Sequence, residues 1–208
     1  MKHYLFDFDG VLVDSMPTWA GEHIKALENA GIEPPADFVK TITPLGNYKA
    51  SLYTISLGLD ISIEEYLEKL SRKLNKAYST FISLKPNVKE TLEKLSKEGI
   101  ALHVLTASPH SYVDDCLKRH GVFELFQNVW TIEDFSLTKA EPEIYIEAVK
   151  RLDASPKNCT MFDDNIVALK TAKAAGFSAI GVYDETSKDL QNDIKSISDK
   201  YIYNFGEL

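Results

Sequence analysis

The sequence has little cysteine. Its two thiols, Cys116 and Cys159, stand far apart in a chain of 208 residues. A disulfide framework needs several closely spaced cysteines, and a structural zinc needs ligands in paired spacings, so neither is expected. Long apolar runs are missing as well, and with them any candidate membrane span. Basic excess is the third absence. The chain has 23 Lys and Arg against 31 Asp and Glu, a net charge of −8. A surface of that sign argues against general binding to nucleic acid or to an anionic membrane, and leaves room for a local basic pocket. No charged leader followed by a long apolar core opens the chain: Lys2 and His3 precede a short apolar run that Asp7 interrupts. These features suit a cytoplasmic protein, and a monomer is expected. Internal repeats and low-complexity segments are absent.

What remains is the composition of an ordinary globular chain, 44% hydrophobic and 26% charged. The order of elements is informative. "HYLFDFD", residues 3–9, reads as a buried strand running to a turn at Gly10. The pattern then becomes helical from Ser15 to about Phe81. Pro17 suits a first helical turn, Ser62 with Glu65 forms a capping-box pattern, and Tyr66, Leu70, Leu74, Ala77 and Phe81 follow at three- and four-residue intervals. Beyond Pro86 strands alternate with helices. The predicted strands are 100–106, 128–132, 159–164 and 178–183, with "YIYNF" as a further one. Asn87 with Glu90, and Ser108 with Pro109, open intervening helices. Such alternation predicts an α/β fold with a parallel sheet and crossover helices. One strand precedes the helical block and the rest follow it. Residues 1–14 and 84–208 are therefore expected to form the α/β core, interrupted by a helical insert at 15–83.

Ligand sites of open parallel sheets lie beyond the carboxyl ends of the strands. Here those ends carry Asp7 and Asp9, Thr106 and Ser108, and Asp163 and Asp164, while Lys139 sits in a loop before a helix. Two carboxylates about 5 Å apart repel by roughly 3 kcal/mol at an effective dielectric near 20. Four of them call for protonation or a cation. One lysine offsets one charge, and a hard divalent ion with oxygen ligands, Mg²⁺, suits the rest. A phosphate monoester is a dianion that bare acids would repel and that a bridging Mg²⁺ would attract. Lys139, the Thr106 hydroxyl and backbone N–H groups near Phe8 and Ala107 can hold phosphate oxygens. One carboxylate can then attack phosphorus while another carries the proton of the leaving alcohol.

The motifs also carry a family resemblance. "DFDGVLVDS", "VLTAS", "TKAEPEIY" and "MFDDNIVALKTAKAAG" occur in that order between residues 5 and 181. They resemble the four motifs of the haloacid dehalogenase superfamily, in its branch of helical-cap phosphatases and β-phosphoglucomutase-like proteins. Ala140 stands where the third motif usually has proline, and Asn165 and Ala168 replace common small residues of the fourth. The resemblance implies a Rossmann-like core with a helical cap inserted after the first motif. It implies Asp7 as nucleophile through an aspartyl-phosphate, and Asp9 as general acid and base and as a metal ligand through its carbonyl. Thr106 and Lys139 would hold the phosphoryl group, and Asp164, helped by Asp163, would complete the Mg²⁺ site with Asp7. An acid at position 9 separates the chain from the dehalogenases and the phosphonate-cleaving members.

The expected activity is Mg²⁺-dependent hydrolysis of a small phosphorylated metabolite. Trp19 and His23, one helical turn apart, and Tyr48 and Lys49 are the candidates in the insert to contact substrate; packing and solvent exposure are their competing roles. His103 is expected to be a core residue. A sugar phosphomutase is the nearest rival. Members of that kind usually have a histidine where Trp19 stands, a basic residue at Pro109, and an arginine where this chain has Lys49, which cannot form the same bidentate pair with phosphate. A phospho-accepting signalling or binding module is the rival from another class; Asp9 and the helical insert speak against it.

Overall fold

The computed structural model describes residues 1–208, the side chain of residue 44 excepted. The strands are β1 (His3–Phe6), β2 (Ala101–Thr106), β3 (Phe126–Thr131), β4 (Cys159–Asp163), β5 (Ser178–Val182) and β6 (Lys200–Ile202). The helices are α1 (Met16–Asn29), α2 (Phe38–Ile42), α3 (Gly46–Ser56), α4 (Ile63–Thr80), α5 (Val88–Lys97), α6 (His110–His120), α7 (Pro142–Arg151), α8 (Ile166–Ala174) and α9 (Gln191–Ile197). The chain divides into two compact units, Met1–Asp14 with Ser83–Leu208, and Ser15–Ile82. No helix of the described residues is long and apolar enough to cross a membrane.

The first unit is an α/β layer structure. All six strands pair in parallel, in the order β3-β2-β1-β4-β5-β6. The strand order reverses at β1, so the β1–β4 crevice is the topological switch point where such sheets place ligands. The sheet is buried on both faces, as the alternation of side chains requires. Leu5, Leu105 and Met161 pack with Ile144, Tyr145 and Ala148 of α7 and with Ala172 of α8. On the other face Phe6 stacks on Phe162 with ring centroids 4.4 Å apart, and Phe205 closes over both.

The second unit is helical throughout. Ser62 accepts the Glu65 N–H at 3.2 Å and caps α4. Tyr66, Leu70, Leu74, Ala77 and Tyr78 form its buried stripe. The helix ends at Thr80, so Phe81 falls outside that stripe and is 61% exposed, which the periodic pattern did not anticipate. The two other helix starts also differ in detail. Asn87 precedes α5 as expected, but in the left-handed region with φ 64°, and its amide donates to Asn204 instead of capping. Ser108 lies before α6, and its hydroxyl donates to Asp9.

Candidate active site

The strand ends build the site. β1 stops at Phe6, and the Asp7 N–H donates to the Phe162 carbonyl at 2.9 Å, which fixes Asp7 against the end of β4. Asp7 is buried, 7% exposed. The Lys139 ammonium lies 2.8 Å from Asp7 Oδ2 and 2.8 Å from Asp163 Oδ2. Asp163 is fully buried at the last position of β4, and its Oδ1 accepts the Asn165 N–H at 2.9 Å. Tyr145 supports the loop of Lys139: its hydroxyl donates to the Ala168 carbonyl at 3.0 Å, with the Lys139 carbonyl 3.2 Å away. Asn165 caps α8 through its Oδ1, which accepts the N–H groups of Val167 at 2.8 Å and Ala168 at 3.4 Å.

Asp164 is half-buried beside the Gly10 turn. Gly10 has φ +70°, and a Cβ there would meet Asp164 Oδ2 at 2.8 Å. Glycine at that position thus serves both the left-handed turn and the approach of the acid. Asp9, half-buried, accepts the Ser108 hydroxyl through Oδ2. Thr106 is 1% exposed, and its Oγ1 accepts the Ser108 N–H at 3.1 Å. Ala107 between them is exposed. Asp7, Thr106, Lys139, Asp163 and Asp164 therefore all stand at the carboxyl edge of the three central strands or in the loops beside it.

The charges do not cancel. Asp7, Asp163 and Asp164 each offer a carboxylate oxygen within 4.8 Å of the others. At that spacing each pair repels by about 3 kcal/mol at an effective dielectric near 20. Burial, then Lys139 acting against it and Asp7 adding to it, leave Asp163 raised to about 6. Burial and the neighbouring Asp163, Asp7 and Asp184 push Asp164 well above the ordinary carboxylate range. Burial alone would lower the Lys139 ammonium, but Asp163 and Asp7 reverse this and hold it above the usual lysine value. With all three carboxylates ionised, the one ammonium leaves two negative charges. Asp7 Oδ1 is buried with no hydrogen-bond partner. An unpartnered buried carboxylate oxygen among acids is what a hard divalent cation with oxygen ligands would satisfy. The residues present therefore fit such an ion.

The insert residues sit differently. His23 is buried within the helical unit, where its Nδ1 lies 2.8 Å from the Tyr66 hydroxyl and 3.0 Å from the Thr54 hydroxyl. Burial lowers its pKa to about 4, so the ring is neutral and packs as a core histidine. Trp19 meets the same ring edge-on at 4.8 Å. Tyr48, 56% exposed, and Lys49 are on the surface of α3. His103 is a core residue, fully buried and 3.2 Å from His3. The sequence reading passed over one pair altogether. Lys85 and Asp184 form a largely buried ion pair of 2.9 Å that touches the Gly10 turn. An acid two residues beyond β5, at the same edge of the sheet as Asp7 and Asp163, was the available signal.

Known proteins match both the sequence and the shape. A phosphorylated carbohydrates phosphatase of Thermotoga maritima is 25% identical over 182 residues, covering 86% of this chain and 84% of its own. A phosphoglycolate phosphatase of Vibrio vulnificus is 27% identical over 191 residues, covering 88% and 83%. The crystal structure of CbbY from Rhodobacter sphaeroides in complex with phosphate superposes with a TM-score of 0.82 at 18% identity, over 100% of this chain and 96% of that one, a likeness of fold. The family model of the haloacid dehalogenase-like hydrolases matches residues 4–182. With its six-stranded parallel sheet and its acids gathered at the switch point, this chain is an enzyme belonging to the haloacid dehalogenase-like hydrolase family.

Proposed function

We propose that the protein is a Mg²⁺-dependent phosphatase that hydrolyses a small phosphate monoester through an aspartyl-phosphate on Asp7. The observation that carries this reading is the partnerless Asp7 Oδ1 in a cluster of three carboxylates against the single ammonium of Lys139. The names of the curated relatives, phosphatases of carbohydrate phosphates and of phosphoglycolate, point the same way. Residues 1–14 and 84–208 act as the catalytic core in this reading. Residues 15–83 act as a cap that selects the alcohol part of the ester.

Asp7, the Asp9 carbonyl and Asp164 would hold the cation. Asp163, whose two oxygens are taken by Lys139 and the Asn165 N–H, orients that lysine. The bound ion would neutralise phosphate charge and act as a Lewis acid on a phosphoryl oxygen. Lys139 draws the transferring group toward Asp7, and the Thr106 hydroxyl and the Ala107 N–H donate to its remaining oxygens. An Asp7 oxygen forms a bond to phosphorus as the ester bond breaks, and Asp9 gives its proton to the departing alkoxide. Asp9, now a carboxylate, takes a proton from water. That water oxygen attacks phosphorus, the acyl-phosphate bond breaks, and Asp7 is released with inorganic phosphate.

Incubation with p-nitrophenyl phosphate and Mg²⁺ tests the reading. Many turnovers per protein, stopped by a chelator, are expected, with acid quenching trapping phosphate on the Asp7 peptide. A single phosphorylation without turnover would replace the hydrolase with a phospho-accepting module. A panel of phosphorylated sugars and short acids ranked by kcat/KM then identifies the substrate.

A further inference from the structure

We propose that Lys85 is a positioning residue of the acidic site: it pins the Gly10 turn to the end of β5 and so sets the Asp9 carbonyl and Asp164 for the cation. This rests on the metal-dependent reading above and extends it to a residue outside the four motifs.

The geometry is specific. The Lys85 ammonium donates to the Gly10 carbonyl at 2.5 Å, to the Tyr183 carbonyl at 2.7 Å and to Asp184 Oδ2 at 2.9 Å. An ammonium has three protons, and here each has an acceptor. The pair is largely buried, with side chains 14% and 5% exposed. Asp184 is itself fixed: its Oδ1 accepts the Thr186 N–H at 3.0 Å and the Thr186 hydroxyl at 2.6 Å. The backbone of the same segment is stitched to the same turn. The Lys85 N–H donates to the Leu12 carbonyl at 2.9 Å, and the Asp14 N–H donates to the Ser83 carbonyl at 2.9 Å. Lys85 thus grips the Gly10 turn by both its main chain and its side chain.

Gly10 lies between Lys85 and Asp164. Its carbonyl faces the ammonium, and its Cα leaves no room for a Cβ beside the Asp164 carboxylate. Without the ammonium, two carbonyls and one carboxylate would converge with no donor among them. Like acceptors repel, so the turn would move, and Asp9 and Asp164 with it. A plain ion pair would not act this way. Buried pairs are weak contributors to stability, and one neutralising Asp184 alone would only trim the negative field that attracts Mg²⁺. The two roles predict opposite signs. Losing a field-trimming cation tightens Mg²⁺ binding; losing a positioning group weakens it.

The experiment titrates Mg²⁺ into the full chain by calorimetry, with the metal-free melting temperature recorded for each variant. Wild type should bind one ion and Asp164→Asn should not; if wild type binds none, the metal-dependent reading falls and this proposal with it. Given wild-type binding, Lys85→Met should raise the Kd at least tenfold. Lys85→Gln carries no charge either but keeps an amide donor, and should recover part of that loss. Asp184→Asn, which leaves the ammonium on both carbonyls, should stay within threefold. A Kd for Lys85→Met that is unchanged or lower overturns the proposal, as does an equal loss in Lys85→Gln and Lys85→Met. Should Lys85→Met not fold, Lys85→Gln carries the test: a Kd at least threefold weaker supports positioning, and an unchanged one overturns it.

Discussion

Among the described residues, each unit of the molecule buries one side-chain atom with no hydrogen-bond partner: Asp7 Oδ1 in the α/β unit and His23 Nε2 in the helical one. An unpaired buried polar atom costs about 1–3 kcal/mol in either place. Their surroundings differ. Asp7 faces two further acids and one lysine, so the deficit is one of charge. His23 faces two hydroxyls and an indole, and burial alone keeps its ring neutral. The first arrangement asks for a cation. The second asks for nothing beyond a close fit. An orphaned polar atom indicates a ligand only when the field around it has the ligand's sign.

Asp7→Asn gives the largest expected break in that comparison. Turnover of a phosphate monoester should fall by about four orders of magnitude or more, since an amide cannot displace the alcohol. Stability should not follow activity. Removing one of three like charges relieves a repulsion of about 3 kcal/mol per pair at an effective dielectric near 20, so the metal-free variant should melt no lower than wild type. A variant that lost activity only by unfolding would contradict the role given to Asp7.

Next in size is the effect of the ion itself. Mg²⁺ at about a hundred times its Kd should stabilise wild type by roughly 2.7 kcal/mol through mass action on the folded state. The same addition should leave Asp7→Asn and Asp164→Asn unmoved. Equal shifts in all three, read by thermal melts with and without a chelator, would mean that the ion binds elsewhere.

The sheet and the acids at its edge were legible because their signals are local. "LFDFDG" and "MFDD" each place apolar strand residues directly before carboxylates, and the spacing between elements dictated parallel crossovers. What escaped is carried by contacts with no fixed offset in sequence. Ser108 reads as a helix cap because capping is a rule over three residues; its hydroxyl is taken by Asp9, 99 positions away. Lys85 meets Asp184 across the same separation, and Asn87 meets Asn204 across 117 positions. Trp19 and His23 were legible as neighbours, from their helical offset. Their surroundings were not, because Thr54 and Tyr66 arrive on other helices.

A third, smaller effect concerns His23. His23→Leu removes the ring partner of the Tyr66 hydroxyl and also removes the orphaned Nε2. The two offset only in part, so a loss of about 1 kcal/mol at pH 7.5 is expected in urea titrations. Activity should stay within a few-fold if the ring only packs. A hundredfold rise in KM at unchanged stability would instead make His23 a substrate contact.

The finest test uses pH, and its sign follows from burial. His23 has a folded-state pKa near 4 against an ordinary 6.5. Between these values the unfolded chain binds a proton that the folded chain refuses, so wild type loses stability as pH falls through this window. Above about 6.5 the penalty is absent, and below about 4 it has reached its limit. His103, buried beside His3 and likewise lowered to about 4, contributes the same dependence in the α/β unit and is common to wild type and variant. The difference between wild type and His23→Leu therefore isolates one proton. At pH 7.5 wild type should be the more stable by about 1 kcal/mol, and by pH 5 the order should reverse, a swing of roughly 1–2 kcal/mol. A difference that stayed constant with pH would show that the ring takes its proton equally well folded and unfolded. His23 Nε2 would then be reached by water, and the contrast with Asp7 would be one of exposure instead of charge.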